Sequence, residues 1–149
     1  ATLNEEAWRR IEPGTPKPIK RFQAMEQLSR AGIRTGVLLA PILPDITDSE
    51  ENLEKVVREA AQHGAHFIAH NVLYLRPGSK EWFLPFLREA YPHLIPEYLR
   101  LYRRGAYAPR AYTERTIGLV QRLRERWGLI GREGQTRRVF LQGQLSLGI

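Results

Sequence analysis

Residues 33–48 read IRTGVLLAPILPDITD, and this stretch sets three different physical demands in sixteen positions. Val37 to Ala40 is a continuous apolar run without alternation, the pattern of a strand buried on both faces of a parallel sheet. Pro41 and Pro44 are expected to end it, because proline donates no ladder hydrogen bond. Thr47, Asp48 and Ser49 are good helix N-caps, and Leu53, Val56, Val57, Ala60 and Ala61 follow at helical spacing. Strand, stiff loop and capped helix make one β-α unit. Ligands of α/β folds sit at the carboxyl ends of strands, so residues 41–47 are expected on the rim of any site.

The rest of the chain extends this unit in both directions. Thr2-Leu3-Asn4-Glu5 reads as a capping box for a short helix over residues 5–11. A stiff Pro/Gly loop follows, and Pro18 opens a helix that turns Phe22, Met25 and Leu28 inward. Gly32 is placed to stop that helix, and Gly64 to stop the next. A second strand is expected over residues 67–75, then a helix with Trp82, Phe83, Phe86 and Leu87 on its apolar face and Pro85 as a kink or a late start. Beyond Pro92 the pattern is helical with breaks near Gly105 and Pro109, the last helix covering residues 111–127 and a tail following. Two strands joined by a helix of this length are expected to be parallel, with a right-handed crossover. Two strands alone leave edges that want partners, so either self-association or strands from elsewhere are expected.

Composition narrows the function classes. The 149 residues are 42% hydrophobic and 26% charged, ordinary for a globular domain. No apolar run reaches the roughly 18 residues of a membrane span, and the amino-terminal sequence ATLNEEAWRR is not a secretory signal. There is no cysteine, hence no disulfide, thiol nucleophile or cysteine-held metal, and a cytoplasmic location is expected. The chain begins at Ala1 and its one methionine is Met25, as in a trimmed protein or a piece of a longer one. The charge is uneven. Residues 97–138 hold eleven arginines and four glutamates, which is +7 and accounts for the whole formal net charge.

Three segments carry a resemblance. EPGTPKPIKRFQAMEQLSRAGIRTGVLLAPILPDITD, NVLYLRPGSKEWFLPFLREAYP and LYRRGAYAPRAY resemble, in that order, the second half of radical S-adenosylmethionine enzymes. The branch they are most similar to is the spore photoproduct lyase-like group, often labelled DNA repair photolyases. The resemblance implies that residues 1–92 form the carboxyl-terminal half of a partial (β/α) barrel, 93–128 a helical extension and 129–149 a tail. It implies S-adenosylmethionine and a [4Fe–4S] cluster in an intact parent. The family holds that cluster with a CxxxCxxC loop, which this cysteine-free chain lacks, so the chain alone is expected to bind neither and to be inactive. The parent's reaction would be reductive cleavage of S-adenosylmethionine, with DNA as a candidate substrate.

By matching motif, the resemblance also implies that Pro41, Ile42 and Pro44, with Asn71, Val72 and Leu73, contact the adenine of S-adenosylmethionine. Read from the residues alone, the prolines equally end a strand and Asn71 equally makes a core hydrogen bond. Arg76 follows the second strand, where a guanidinium could grip a phosphate or carboxylate or simply lie on the surface. His63, His66, His70 and His93 lack convergent metal-ligand spacing, so no metal site is expected.

A second function class comes from the arginine-rich region. Arg100, Arg103, Arg104 and Arg110 alternate with Tyr98, Tyr102, Tyr107 and Tyr112, a composition that suits phosphate neutralisation and base stacking. It equally suits a solvated helix face. On this reading the chain is a non-enzymatic nucleic-acid-binding module with DNA as its partner. Gln144 to Leu147 resembles the bacterial sliding-clamp-binding peptide but departs from it at Gly148.

Overall fold

The computed structural model describes residues 2–129, and within them the strand-helix-strand unit forms. Strand β1 (Gly36–Ile42), helix α3 (Glu50–Gln62) and strand β2 (Phe67–Val72) are preceded by α1 (Glu5–Ile11) and α2 (Pro18–Arg30). They are followed by α4 (Ser79–Ala90), a 3-10 turn (Pro92–Leu94), α5 (Ile95–Leu101) and α6 (Arg110–Arg126). β1 and β2 are parallel, with Gly36 opposite Phe67 and Leu39 opposite His70. The architecture is α/β, with one two-stranded sheet among the described residues.

Helices α1 and α3 start at side-chain caps. Ser49 accepts from the Asn52 N–H and opens α3, whose Leu53, Val56, Val57 and Ala60 are buried. Gly64, at φ +74°, stops it, a conformation that favours glycine. For α1 the cap is Asn4, which accepts from the Ala7 N–H, and not the expected Thr2. The Thr2 hydroxyl is drawn away to Asn52 Oδ1 at 2.7 Å. Pro18 opens α2 as expected, with Phe22 and Met25 buried, whereas Leu28 is exposed.

The sheet departs from expectation in a way that bears on function. Val37, Leu39 and Ile42 are buried while Leu38 is 60% exposed and Ala40 and Pro41 are exposed, so β1 is covered on one face. That face packs with Val56, Val57 and Ala60 of α3 and Val120 and Leu123 of α6 in one core. Full burial of each Val, Leu or Ile side chain there contributes about 1.5–3 kcal/mol. Pro41 lies inside the strand, not beyond it. The β1–β2 register is broken between Leu39 and Ile42, and a proline is tolerated at such an irregularity because its missing N–H interrupts no regular ladder. Gly36 is needed for contact, since a Cβ there would stand 2.5 Å from the Phe67 carbonyl oxygen.

β2 ends at Val72 instead of running to Leu75. Beyond it the Leu75 N–H donates to the Ala106 carbonyl at 2.7 Å and Tyr74 bridges Tyr107 antiparallel, so the 105–108 loop takes over the backbone hydrogen bonds. A second core collects Val72, Leu73, Leu75, Phe83, Leu87, Tyr98, Leu101 and Tyr102. Trp82, expected inward, is 71% exposed at the start of α4. The helical extension therefore packs onto the strand ends through α5 and onto α3 and β2 through α6. No helix among the described residues is long and apolar enough to cross a membrane. The clamp-like residues 144–147 and Arg132, Arg137 and Arg138 lie outside the described residues.

Candidate functional site

The carboxyl ends of the two strands stay together beyond the sheet, because the Leu73 N–H donates to the Ile42 carbonyl at 3.0 Å. The loop after β1 folds back on itself. The Leu43 N–H donates to Thr47 Oγ1 at 2.8 Å, and the Thr47 N–H to the Leu43 carbonyl at 2.9 Å. Asn52 then fastens the loop from below, its Nδ2 donating to the Thr47 carbonyl at 2.8 Å while its Oδ1 accepts from Thr2 and Leu3. At the tip Asp45 adopts φ +56°, a left-handed conformation that Asp tolerates better than most residues. Its carboxyl pKa is raised, first by burial and then by Asp48 and Glu97.

Helix α5 holds this rim from the other side. Tyr98 donates its hydroxyl to the Pro44 carbonyl at 2.8 Å, and Tyr102 donates to the Leu73 carbonyl at 2.7 Å. The two are one helical turn apart, and their rings stack with centroids 6.0 Å apart. Burial pushes both phenols well above the usual tyrosine range. Tyr112 of α6 donates to Asp48 Oδ2 at 2.5 Å, and burial followed by that hydrogen bond raises its pKa as well. Three of the four tyrosines read as stacking candidates thus have their hydroxyls committed to the protein. The sequence reading missed this clamp, although the spacing Tyr98, Leu101, Tyr102 on one helix face was its visible signal.

The six positions proposed to face adenine separate into two groups. Ile42, Pro44, Val72 and Leu73 are buried. Pro41 is exposed and Asn71 half-buried. Asn71 lies on the opposite side of β2 from Ile68 and Val72, and its Oδ1 is buried with no hydrogen-bond partner. Pro41 and Asn71 are the side chains of this set that the core does not absorb. Among the described residues no three His, Asp or Glu side chains come together as a metal site.

Arg76 connects the strand ends to the arginine-rich loop. Its guanidinium lies 4.8 Å from the centre of the Tyr74 ring, which packs against Tyr107 at 5.9 Å. The Tyr107 phenol, and then Tyr74, hold the Arg76 pKa above its ordinary value. Beyond Tyr107 a concavity of about 530 Å³ is lined by Arg100, Leu101, Arg103, Arg104, Tyr107, Ala108, Pro109 and Arg110. The concavity thus gathers Arg100, Arg103, Arg104 and Arg110, and Tyr107 lies between them and Arg76. Tyr102 is turned away, into the core.

The chain is similar to an uncharacterized protein of Mycobacterium tuberculosis, 36% identical over 131 residues, which are 88% of this chain and 38% of the relative. An uncharacterized protein of Mycobacterium bovis matches to the same extent. One from Acidianus two-tailed virus is 32% identical over 92 residues, 60% of this chain and 31% of the relative. The match thus spans less than two fifths of the length of these curated relatives. No protein-family model matches the sequence, and no solved structure matches it.

Proposed function

We propose that this chain forms the carboxyl-terminal part of the barrel of a radical S-adenosylmethionine enzyme of the spore photoproduct lyase-like branch. The observation that carries the reading is the one-sided sheet. Two parallel strands are packed by helices on one face, while Leu38, Ala40 and Pro41 are exposed on the other, with the half-buried Asn71 beside them. A barrel wall has this asymmetry, with helices outside and a shaped interior within.

The residues present do not fit an iron–sulfur cluster, which is held by thiolates, because the chain has no cysteine. They do fit the adenine end of S-adenosylmethionine. Asn71 offers an amide whose oxygen has no protein partner, and Pro41 offers an apolar surface at the end of the neighbouring strand. When bound, S-adenosylmethionine supplies the adenosyl group for the radical chemistry. The contribution of this chain is to orient that group, and the Tyr98 and Tyr102 hydroxyls contribute by fixing the two backbone segments that would flank it.

The test is the whole-length mycobacterial relative, purified without oxygen and supplied with iron and sulfide. The expected result is about four irons per chain and a paramagnetic signal after reduction that changes when S-adenosylmethionine is added. A relative that takes up no iron contradicts the reading.

A further inference from the structure

We propose that the concavity between α5 and α6 binds the phosphate of a nucleotide whose base stacks on Tyr107. Four arginines line it, Arg100, Arg103, Arg104 and Arg110, and no acidic residue does. Two of them are already fixed. Arg100 is paired with Glu97 and Arg110 with Glu114 at 2.7 Å, both by side chains outside the lining. Arg103 and Arg104, consecutive and exposed in the turn after α5, have no ion-pair partner among the described residues. The two charges left unpaired, on Arg103 and Arg104, repel each other unless an anion joins them.

The aromatic wall makes the ligand a nucleotide and not simply an anion. Tyr107 is 66% exposed, and packing against Tyr74 steadies its ring. Guanidiniums match phosphate oxygens bidentately, and an open phenol ring accepts a base without regard to its identity. A paired base cannot reach such a ring, so the site favours a free nucleotide or a single strand over a duplex. Arg76 sits on the Tyr74 ring, which packs against Tyr107. The inference stands on the concavity and its ring, and it holds whether or not the chain belongs to a radical enzyme.

The experiment uses the full chain, fluorescein-labelled oligothymidylate and its duplex, followed by fluorescence anisotropy at two salt concentrations. Thymidine 5′-phosphate and pyrophosphate serve as competitors. Replacing Arg103 and Arg104 together with alanine is expected to weaken single-strand binding at least tenfold. The logarithmic salt slope is expected to fall by about 1.4, for two lost phosphate contacts. Tyr107→Ala is expected to cost the single strand roughly fivefold to a hundredfold and the duplex less. Arg9→Ala with Arg30→Ala, which removes the same charge from α1 and α2, is expected to leave the affinity within about twofold. Competition by thymidine 5′-phosphate supports the site with a free nucleotide as its ligand. Competition by the strand alone supports it with nucleic acid. No binding by any probe, displacement by pyrophosphate with no effect of Tyr107→Ala, or equal weakening by the two arginine pairs overturns the inference.

Discussion

The Tyr102 hydroxyl donates to the carbonyl oxygen of Leu73 at 2.7 Å, joining a helix of the extension to the residue that follows β2. Tyr98, one turn earlier, does the same for Pro44 in the loop after β1. The extension is therefore a clamp on the strand ends, because both hydrogen bonds are buried.

Removing either hydroxyl leaves a buried carbonyl unsatisfied, so Tyr98→Phe and Tyr102→Phe are each expected to cost about 1–3 kcal/mol. Urea denaturation reads this as a lower midpoint with an unchanged slope. An unchanged midpoint for both variants would show that water replaces the phenols.

The same tyrosines set the alkaline limit. Tyr98, Tyr102 and Tyr112 have folded pKa values raised above the ordinary 10.0, so the folded chain keeps protons that the unfolded chain releases. Their contribution is fully present below about pH 10 and is lost as pH rises from there toward the folded values. Tyrosinate absorbance is expected to show a late step that coincides with loss of the helical circular dichroism signal. A single smooth titration of all six tyrosines, complete before any unfolding, would contradict this.

Asn52 ties the amino-terminal arm to the loop after β1. With Asn52→Ala the Thr2 hydroxyl and the Thr47 carbonyl lose their partner, an expected loss of about 2–4 kcal/mol. Hydrogen exchange would show faster exchange at Leu3 and Leu43 than in the unaltered chain, while α6 stays protected. Uniformly raised exchange would instead mean that Asn52 stabilises the whole fold without local preference.

The elements were legible where one physical signal dominated. The period of Leu53, Val56, Val57 and Ala60 revealed α3, and Gly64 revealed its end. The strand was placed, but its environment was not. A run such as Val37 to Ala40 is apolar on both faces, and whether helices or open space lie beyond each face depends on residues far away in the chain. Tyr102 illustrates the same limit at the site. Its place among arginines suggested a ring free to stack, whereas the i, i+4 pairing with Tyr98 commits its hydroxyl to Leu73. Composition identified the arginines that share a concavity, yet not the contact that joins Arg76 to them through Tyr74 and Tyr107, since that depends on a bridge between residues 74 and 107.

Isolated from any thiolate, this chain is expected to take up no stoichiometric iron when supplied with iron and sulfide, which elemental analysis and visible absorption would check.

The most direct measurement of the central claim is formation of 5′-deoxyadenosine by the reduced mycobacterial relative, with and without an alanine at the position aligned with Asn71. The account predicts 5′-deoxyadenosine from the unaltered protein. With the alanine it predicts weaker S-adenosylmethionine binding, by roughly fivefold to a hundredfold for a lost hydrogen bond of about 1–3 kcal/mol, at unchanged iron content. Iron-loaded, reduced protein that forms no 5′-deoxyadenosine at any S-adenosylmethionine concentration would contradict it.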